Sequence, residues 1–484
     1  MLSEGLKEKT SRGLFWNALE KFSVQLVKLI VGIVLARLLF PEDFGLIGML
    51  SIFIAISQIF VNSGMGSGLI QKKVRTDLDY STVFLFNLVV SIFFYLVLLF
   101  SAPLIAKFYD KIELILLTRV LGLNIVISAF AMVQRAKLIV NIDFKTLARV
   151  NLIASVLSGI AAIVLAILGW GVWALVMYTL LNTLVSVFLL WKVNKWIPSM
   201  EFSRESFNEL FGFSSKILLS RIYEKVSINI YNIIIGKYYS AAALGFYTRA
   251  KSLAEIPSGT LSNVLQQVSF PVFSSLQDER VRLVSAYSRM VRMAAFIIIP
   301  IMILVSILAE PIVRILLTEK WIEVVPLLQW TSIAYVIYPI SVINMNILNA
   351  MGRSDLFLKV DLSKFPLTVV SLIVTVPFGI KAIVIGHVVT SFISFFINAY
   401  LPGKILGYGP LSQLKDIMPM VLSAIIMSIA VITIVNFVSN DFFQIVLGCI
   451  VAIVTYLSLS KMFNIKEMSE LEEFVGNLKY KFTS

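Results

Sequence analysis

The sequence predicts an all-α integral membrane protein with about 14 transmembrane helices. Hydrophobic residues fill 58% of the 484 positions and charged residues only 14%, whereas soluble domains carry about 25% charged residues. The apolar residues also fall into runs of roughly 18–28, long enough to cross a bilayer as helices. These observations exclude an ordinary soluble enzyme and a disordered chain. With Cys449 and His387 as the only cysteine and histidine, we expect no disulfide scaffold, metal or cofactor.

The first apolar run contains Glu20 and Lys21, and no small-residue cleavage pattern follows it. It is therefore predicted to be a retained helix and not a secretion signal. In chain order, the fourteen predicted spans are 13–38, 43–70, 80–106, 112–134, 150–168, 172–191, 207–236, 244–270, 290–317, 322–349, 358–377, 381–401, 416–436 and 442–460.

The net charge of +13 is distributed unevenly over the loops. Most loop cations lie on the side of the N-terminus, and the opposite loops carry only Lys107, Lys111, Lys237, Lys320 and Lys381. The positive-inside rule then predicts that both termini are cytoplasmic. The excess charge reflects topology, so no nucleic-acid partner is expected.

An internal repeat relates the two halves of the chain. Glu20, Lys21, Ser23 and Gly32 recur 204 positions later as Glu224, Lys225, Ser227 and Gly236, and Phe44–Leu46 resembles Leu244–Phe246. Because six helices separate the matching segments, the repeat is predicted to be parallel, with a pseudo-two-fold axis along the membrane normal.

The repeat predicts two six-helix bundles followed by two additional helices. The predicted domains are an N-terminal lobe at 1–191, a cytoplasmic linker at 192–206, a C-terminal lobe at 207–401, two further helices within 402–460, and a cytoplasmic tail at 461–484.

Charged residues within the predicted helices indicate a wet cavity. A charge facing lipid at mid-membrane costs about 2.5–3.5 kcal/mol, so such residues face water or one another. Helical spacing places Asn17, Lys21, Gln25 and Lys28 on one face of the first helix and Arg221, Lys225, Asn229 and Asn232 on one face of the seventh; the eighth adds Arg249 and Lys251.

The acidic residues in these helices are fewer: Glu20, Glu224, Glu255 and Asp361. They either neutralise neighbouring cations or exchange a proton or sodium ion during transport. In both cases the cations outnumber them, which favours an anionic cargo such as a phosphate.

Three segments resemble Wzx-type polysaccharide flippases, which form the polysaccharide transporter family of the multidrug/oligosaccharidyl-lipid/polysaccharide flippase superfamily. They are ARLLFPEDFGLIG at 36–48, LGFYTRA at 244–250 and FPVFSSLQD at 270–278. The resemblance covers the whole chain and is more specific in its first two thirds. It implies a MATE-like fold whose two lobes rock between inward-open and outward-open states.

The resemblance also implies a function. The expected cargo is an undecaprenyl-pyrophosphate-linked oligosaccharide, moved from the cytoplasmic to the outer leaflet of the bacterial inner membrane for surface polysaccharide or lipopolysaccharide biosynthesis. Transport is expected to be coupled to H⁺ or Na⁺, with a polysaccharide polymerase and glycosyltransferases as partners. The residues expected to bind the pyrophosphate are Lys21, Lys28, Arg221 and Lys225, with Arg249 and Lys251 as further candidates.

Two alternatives remain open at this point. A multidrug or cation antiporter of the same superfamily would not depend on the central lysines. A membrane-embedded polysaccharide synthase or ligase needs a large loop or cytoplasmic domain for its chemistry, whereas the predicted loops have only about 10–20 residues, close to ordinary connections. The sequence therefore favours a transporter, and no enzymatic activity is expected.

Overall fold

The computed structural model describes residues 4–61 and 65–473, without the side chains of 4–15, 17–19, 21, 61, 67 and 212–220. All regular secondary structure in these ranges is helical. The chain divides into two compact units, Met1–Gly245 and Phe246–Ser484.

The first unit contains eight helices and the start of a ninth. They are α1 Glu4–Leu38, α2 Pro41–Val61, α3 Met65–Gln71, α4 Asp77–Tyr109, α5 Leu114–Val140, α6 Phe144–Ile167, α7 Val172–Asn194 and α8 Arg204–Tyr238, followed by α9 Ala241–Ser275, which continues into the second unit.

The second unit contains the rest of α9 and eight further helices. They are α10 Arg280–Ile307, α11 Ala309–Leu316, α12 Val324–Tyr335, α13 Ile337–Ala350, α14 Ser354–Thr375, α15 Ile380–Leu406, α16 Pro410–Phe437 and α17 Asp441–Met462. Short 3-10 turns at Glu319–Trp321 and Val376–Phe378 connect neighbouring helices.

Ten helical segments in the described part of the chain are long and apolar enough to cross a membrane, with α12 and α13 counted together as Val324–Ala350. Helices α1, α8 and α9 have 35 residues each and α14 has 22. These four are long enough to span but are more polar, and they carry nearly all of the candidate site residues. The chain is thus a multi-pass membrane protein whose polar helices are distinct from its apolar ones.

The helix bounds define the repeat more directly than residue identities do. Helices α1 and α8 end at 38 and 238, and α2 and α9 begin at 41 and 241. Corresponding positions are therefore 200 residues apart, which makes Arg221, and not Lys225, the counterpart of Lys21. A spacing of 204 differs from a spacing of 200 by four residues, which is about one helical turn. Residues that match at 204 therefore lie on nearly the same face of the helix as residues that match at 200.

The α1–α2 and α8–α9 turns meet through two glycines. A Cβ atom added at Gly45 would overlap the carbonyl oxygen of Ala241, and one added at Gly245 would overlap that of Pro41. The first turns of α2 and α9 thus pack backbone against backbone. Only residues without a side chain permit such a contact. The repeat is in contact with itself at the end of the molecule predicted to face outward.

Ion pairs hold both ends of this region. Near the glycine contact, Lys111 Nζ lies 2.8 Å from Glu42 Oε1, and this hydrogen bond raises the pKa of Lys111 above its ordinary value. At the opposite end, Lys72 Nζ contacts Glu209 at 2.8 Å and the buried Asp79 at 2.9 Å. Hydrogen bonds to these two carboxylates, Glu209 first, raise the pKa of Lys72. The start of α8 is therefore tied to α4.

The predicted linker at 192–206 is packed against the first unit. Trp196 is buried in a cluster with Tyr80 and Phe84, and its carbonyl oxygen accepts a 3.1 Å hydrogen bond from the Gln134 amide. The Ser199 amide donates to Ser81 Oγ at 3.0 Å. The segment between α7 and α8 is therefore held on α4 and α5.

The predicted span at 322–349 corresponds to one segment, Val324–Ala350, in which the helical hydrogen-bonding pattern breaks only at Val336, whose backbone dihedrals remain helical. Pro339 has no N–H to donate to the carbonyl of Tyr335, its partner four residues earlier. The Ser258 hydroxyl on α9 donates to that carbonyl instead, at 2.8 Å. This bond docks the middle of α9 on the break.

We expect Gly45→Ala and Gly245→Ala to destabilise the protein by about 1–3 kcal/mol each, because the new methyl group meets backbone that cannot move aside. Thermal unfolding of the purified protein in detergent measures the change. Gly259→Ala, on the same helix as Gly245, is the control: its added Cβ would contact only Glu255 Cγ, at 3.4 Å. The stability of Gly259→Ala should be equal to or higher than that of the wild type. A gain in stability for Gly45→Ala would contradict the close backbone contact.

We expect Ser258→Ala to cost about 0.5–1.5 kcal/mol of unfolding free energy, because it removes a hydrogen bond between α9 and the carbonyl of Tyr335. Pro339→Ala restores a backbone N–H that can donate to the same oxygen. The double variant should therefore be more stable than Ser258→Ala alone, as measured by a double-mutant cycle of thermal unfolding. If the stability losses of the two single variants simply add up in the double variant, the Ser258 hydrogen bond does not compensate for the N–H that Pro339 lacks.

Candidate functional site

Helix α1 presents three faces. Val31 packs on Gly159 of α6, and Glu20 accepts a hydrogen bond from Asn151 of the same helix. A second face exposes apolar side chains: Phe22, Leu26 and Ile30. Gln25 and Lys28 are also exposed, but at 100° per residue their face points about 130–145° away from the apolar one. The polar face of α1 is therefore separate from its lipid-like face.

Glu20 lies between a partner amide and a cation. The Asn151 amide donates to Glu20 Oε1 at 2.6 Å, and the charge of Arg135 on α5 interacts with Glu20. The Arg135 side chain is exposed. Sequence reasoning missed Arg135 because the predicted span ended at residue 134, whereas α5 continues to Val140.

The polar stripe of α8 divides into two halves. Asn229 and Asn232 are buried, and both hydrogen-bond Ser51 on α2, at 3.1 and 3.2 Å. Arg221 and Lys225, nearer the helix start, remain partly accessible. The half of the stripe that contains Asn229 and Asn232 thus packs against α2. The half that contains Arg221 and Lys225 stays partly accessible.

The remaining candidates of the first unit have simpler surroundings. Glu224 is exposed and lies 3.7 Å from Lys225 Nζ, and exposed pairs of this kind contribute little stability. The side chain of Lys21 lies outside the described residues. Of the candidate positions in this unit, Glu20, Gln25, Lys28, Arg221, Glu224 and Lys225 are fully or partly accessible, as is Arg135.

In the second unit, polar groups gather around the middle of α9. The charges of Glu255 and Lys251 interact, and Lys251 also lies close enough to act on His387 of α15. The His387 ring packs edge-on to Tyr335, with 6.2 Å between the ring centroids. Because Tyr335 carries the carbonyl that Ser258 binds, the helix break brings α9, α12 and α15 together. His387 is a second residue that sequence reasoning set aside.

Arg249 and Lys251 do not share a face. Two residues apart on a helix, they point about 160° away from each other, although both are half-buried. Only Lys251 lies on the face of α9 that carries Ser258. The predicted coupling residue Asp361 lies elsewhere, on α14, where Lys364 binds it at 2.7 Å.

The chemistry available at these positions is ion binding. No three His, Cys, Asp or Glu side chains come together as a metal-ligand set in the part of the chain that the structure describes. The cations present Lys and Arg donors, which bind phosphate oxygens. Glu20 lies near Arg135, and Glu255 lies near Lys251.

Comparison with solved structures defines the class of protein. The chain matches a structure described as lipid II flippase MurJ in an inward closed conformation, with a TM-score of 0.75, 15% identity, and coverage of 92% of this chain and 98% of that one. It also matches an inward-facing multidrug resistance MATE family transporter of the MOP superfamily, with a TM-score of 0.60, 18% identity, and coverage of 81% and 99%. The fold is that of this transporter superfamily, as the sequence predicted.

The chain belongs to the polysaccharide biosynthesis protein family, whose model matches residues 34–326. Its relatives include the Bacillus subtilis teichuronic acid biosynthesis protein TuaB, 26% identical over 84% of this chain and 85% of the relative. The Rhizobium meliloti succinoglycan biosynthesis transport protein ExoT is 25% identical over 66% and 64%. The Escherichia coli lipopolysaccharide biosynthesis protein WzxC is 23% identical over 74% and 73%. These matches confirm the resemblance found in the sequence.

Thiol labelling tests the assignment of the α1 faces. In a Cys449→Ala background, which removes the only cysteine, we expect Gln25→Cys and Lys28→Cys to react with a water-soluble maleimide. Leu26→Cys, equally exposed but on the apolar face, should react little, because thiolate does not form in lipid. Equal labelling of Gln25→Cys and Leu26→Cys would contradict the separation of the two faces.

Proposed function

We propose that this protein is a flippase that moves undecaprenyl-pyrophosphate-linked oligosaccharides from the cytoplasmic to the outer leaflet of the bacterial cytoplasmic membrane. The observation that carries the proposal is a set of accessible cations in a transporter fold: Lys28, Arg221 and Lys225 on the polar helices α1 and α8, and Arg135 near the end of α5. Family membership and relatives named for teichuronic acid, succinoglycan and lipopolysaccharide biosynthesis support a cargo that is a polysaccharide precursor.

The physical step that needs catalysing is the passage of a charged headgroup through a low-dielectric layer. A pyrophosphate crosses bare bilayer poorly because its charges lose their hydration. Lysine and arginine donors replace that hydration with charge-assisted hydrogen bonds. The sugars would occupy the predicted wet cavity, while the prenyl chain stays in the lipid.

The proposed architecture follows the repeat. Lobes at 1–191 and 207–401, with both termini in the cytoplasm, would alternate between inward and outward access, and the helices of 402–460 would flank them. The Gly45–Gly245 contact supports closure at the outward end, because it brings the two hairpins together there. Cargo would then enter from the cytoplasmic side, where Arg221 and Lys225 remain accessible.

Ion coupling is proposed to act through Glu20. Its carboxylate is held by Asn151 and influenced by Arg135. A bound anion that engages Arg135 would compete with Glu20 for that charge, which would link cargo binding to this carboxylate. Glu255, beside Lys251, is the corresponding group in the second unit; the paired Asp361 and exposed Glu224 are weaker candidates.

We expect Arg135→Gln and Lys28→Gln each to reduce transport about tenfold or more, since a charge-assisted hydrogen bond contributes about 1.5–3 kcal/mol. The measurement is lipid-linked oligosaccharide in a deletion strain complemented by each variant, extracted, sized by mass spectrometry and scored for leaflet accessibility. Intermediates should accumulate on the cytoplasmic leaflet, and Arg135→Lys should restore part of the transport.

Arg149→Gln is the matched control, because Arg149 is an exposed arginine on α6, which neighbours α5. It should transport normally at equal protein level. Unchanged lipid-linked sugars in the deletion strain, together with reduced export of cationic dyes, would instead identify a multidrug antiporter.

A further inference from the structure

A groove on the second unit lies between α14 and α15. It encloses about 400 Å³ and is lined by Lys359, Val360, Ser363, Phe396, Ile397, Tyr400 and Leu401, a volume within the range of small-ligand sites. Further along the two helices, Gly386 allows close packing: a Cβ there would lie 2.6 Å from Ser371 Oγ. The helices are thus in tight contact at one level and leave a groove about 15 Å away.

The groove has an apolar floor and a polar rim. Val360 is buried in a cluster with Met345 and Leu348 of α13, against which Ile397 and Leu401 pack, so the floor is closed. Lys359 and Tyr400 are exposed. Each lies five or six residues from the end of its helix, at the end predicted to be cytoplasmic, which is the depth of lipid headgroups.

The charge of Lys359 is available to a ligand. Two carboxylates neighbour it on α14, and each has another cation: Asp355 accepts two hydrogen bonds from Arg353, at 3.0 and 3.1 Å, and Asp361 binds Lys364 at 2.7 Å. No ion pair joins Lys359 to an acidic residue among those the structure describes. An ammonium group beside an apolar groove at headgroup depth matches an anionic phosphate attached to a hydrocarbon chain.

We propose that this groove binds one anionic phospholipid of the cytoplasmic leaflet, with its phosphate on Lys359 Nζ and the Tyr400 hydroxyl and an acyl chain along Val360, Ile397 and Leu401. The site is distinct from the cationic positions of α1, α5 and α8. It recognises bulk membrane lipid, not cargo, because its lining offers a single cation and, apart from Ser363 and Tyr400, only apolar side chains.

Native mass spectrometry of the full-length protein tests the proposal, using phosphatidylglycerol titrated into neutral detergent micelles. Wild type should retain one tightly bound phosphatidylglycerol, and Lys359→Gln should weaken its binding about fivefold, equal to about 1 kcal/mol for one lysine near a lipid headgroup. Lys404→Gln, an exposed cation at the same end of α15, should bind as wild type does. Equal effects of the two substitutions would overturn the site.

A second pair of variants tests the groove without changing charge. Ile397→Trp should fill it and displace the lipid, whereas Ile393→Trp, one turn away, exposed and outside the lining, should not. Inorganic phosphate should fail to compete, since the acyl chain contributes to binding; competition would indicate a free-phosphate site. Preferential retention of undecaprenyl phosphate over phosphatidylglycerol would overturn the assignment to bulk lipid and identify a cargo site.

Discussion

The backbone contact between Gly45 and Gly245 is the constraint on which the arrangement of the first unit depends. Each glycine lies on the opposite hairpin, against Ala241 or Pro41, so the start of α9 packs directly on the start of α2. This contact places α8 beside α2, where Ser51 satisfies Asn229 and Asn232. The polar stripe of α8 is therefore closed at one end by packing and accessible at the other.

Polar residues in these helices serve two purposes that sequence alone does not separate. Asn229, Asn232 and Ser258 complete buried hydrogen bonds between helices, a common means of joining membrane helices. Gln25, Lys28 and Arg135 have the same polar character but remain accessible. Helical spacing groups both kinds on shared faces, and only the position of the neighbouring helix decides which ones are free to meet a ligand.

The sequence predicted the membrane class, the family and the polar faces, because these depend on local periodicity and on segments such as 36–48. It predicted the structure less well wherever the outcome depends on which helix packs against a residue. Arg135 was assigned to a loop because hydropathy falls before α5 ends at Val140. The break at Val336 required both Pro339 and a donor from another helix, Ser258. The repeat spacing was displaced by one turn because four identities outweighed the helix ends, which are not visible in sequence.

The balance of charge explains why one family of folds can carry different cargoes. A transporter of cations would need accessible carboxylates at its site. Among the candidate positions of the first unit, the accessible cations Lys28, Arg135, Arg221 and Lys225 outnumber the accessible acids Glu20 and Glu224. Such an excess of positive charge in a low-dielectric site repels itself. An anionic headgroup relieves that repulsion, and its departure restores it. The proposed pyrophosphate headgroup would therefore gain part of its binding energy from relief of the repulsion between these cations.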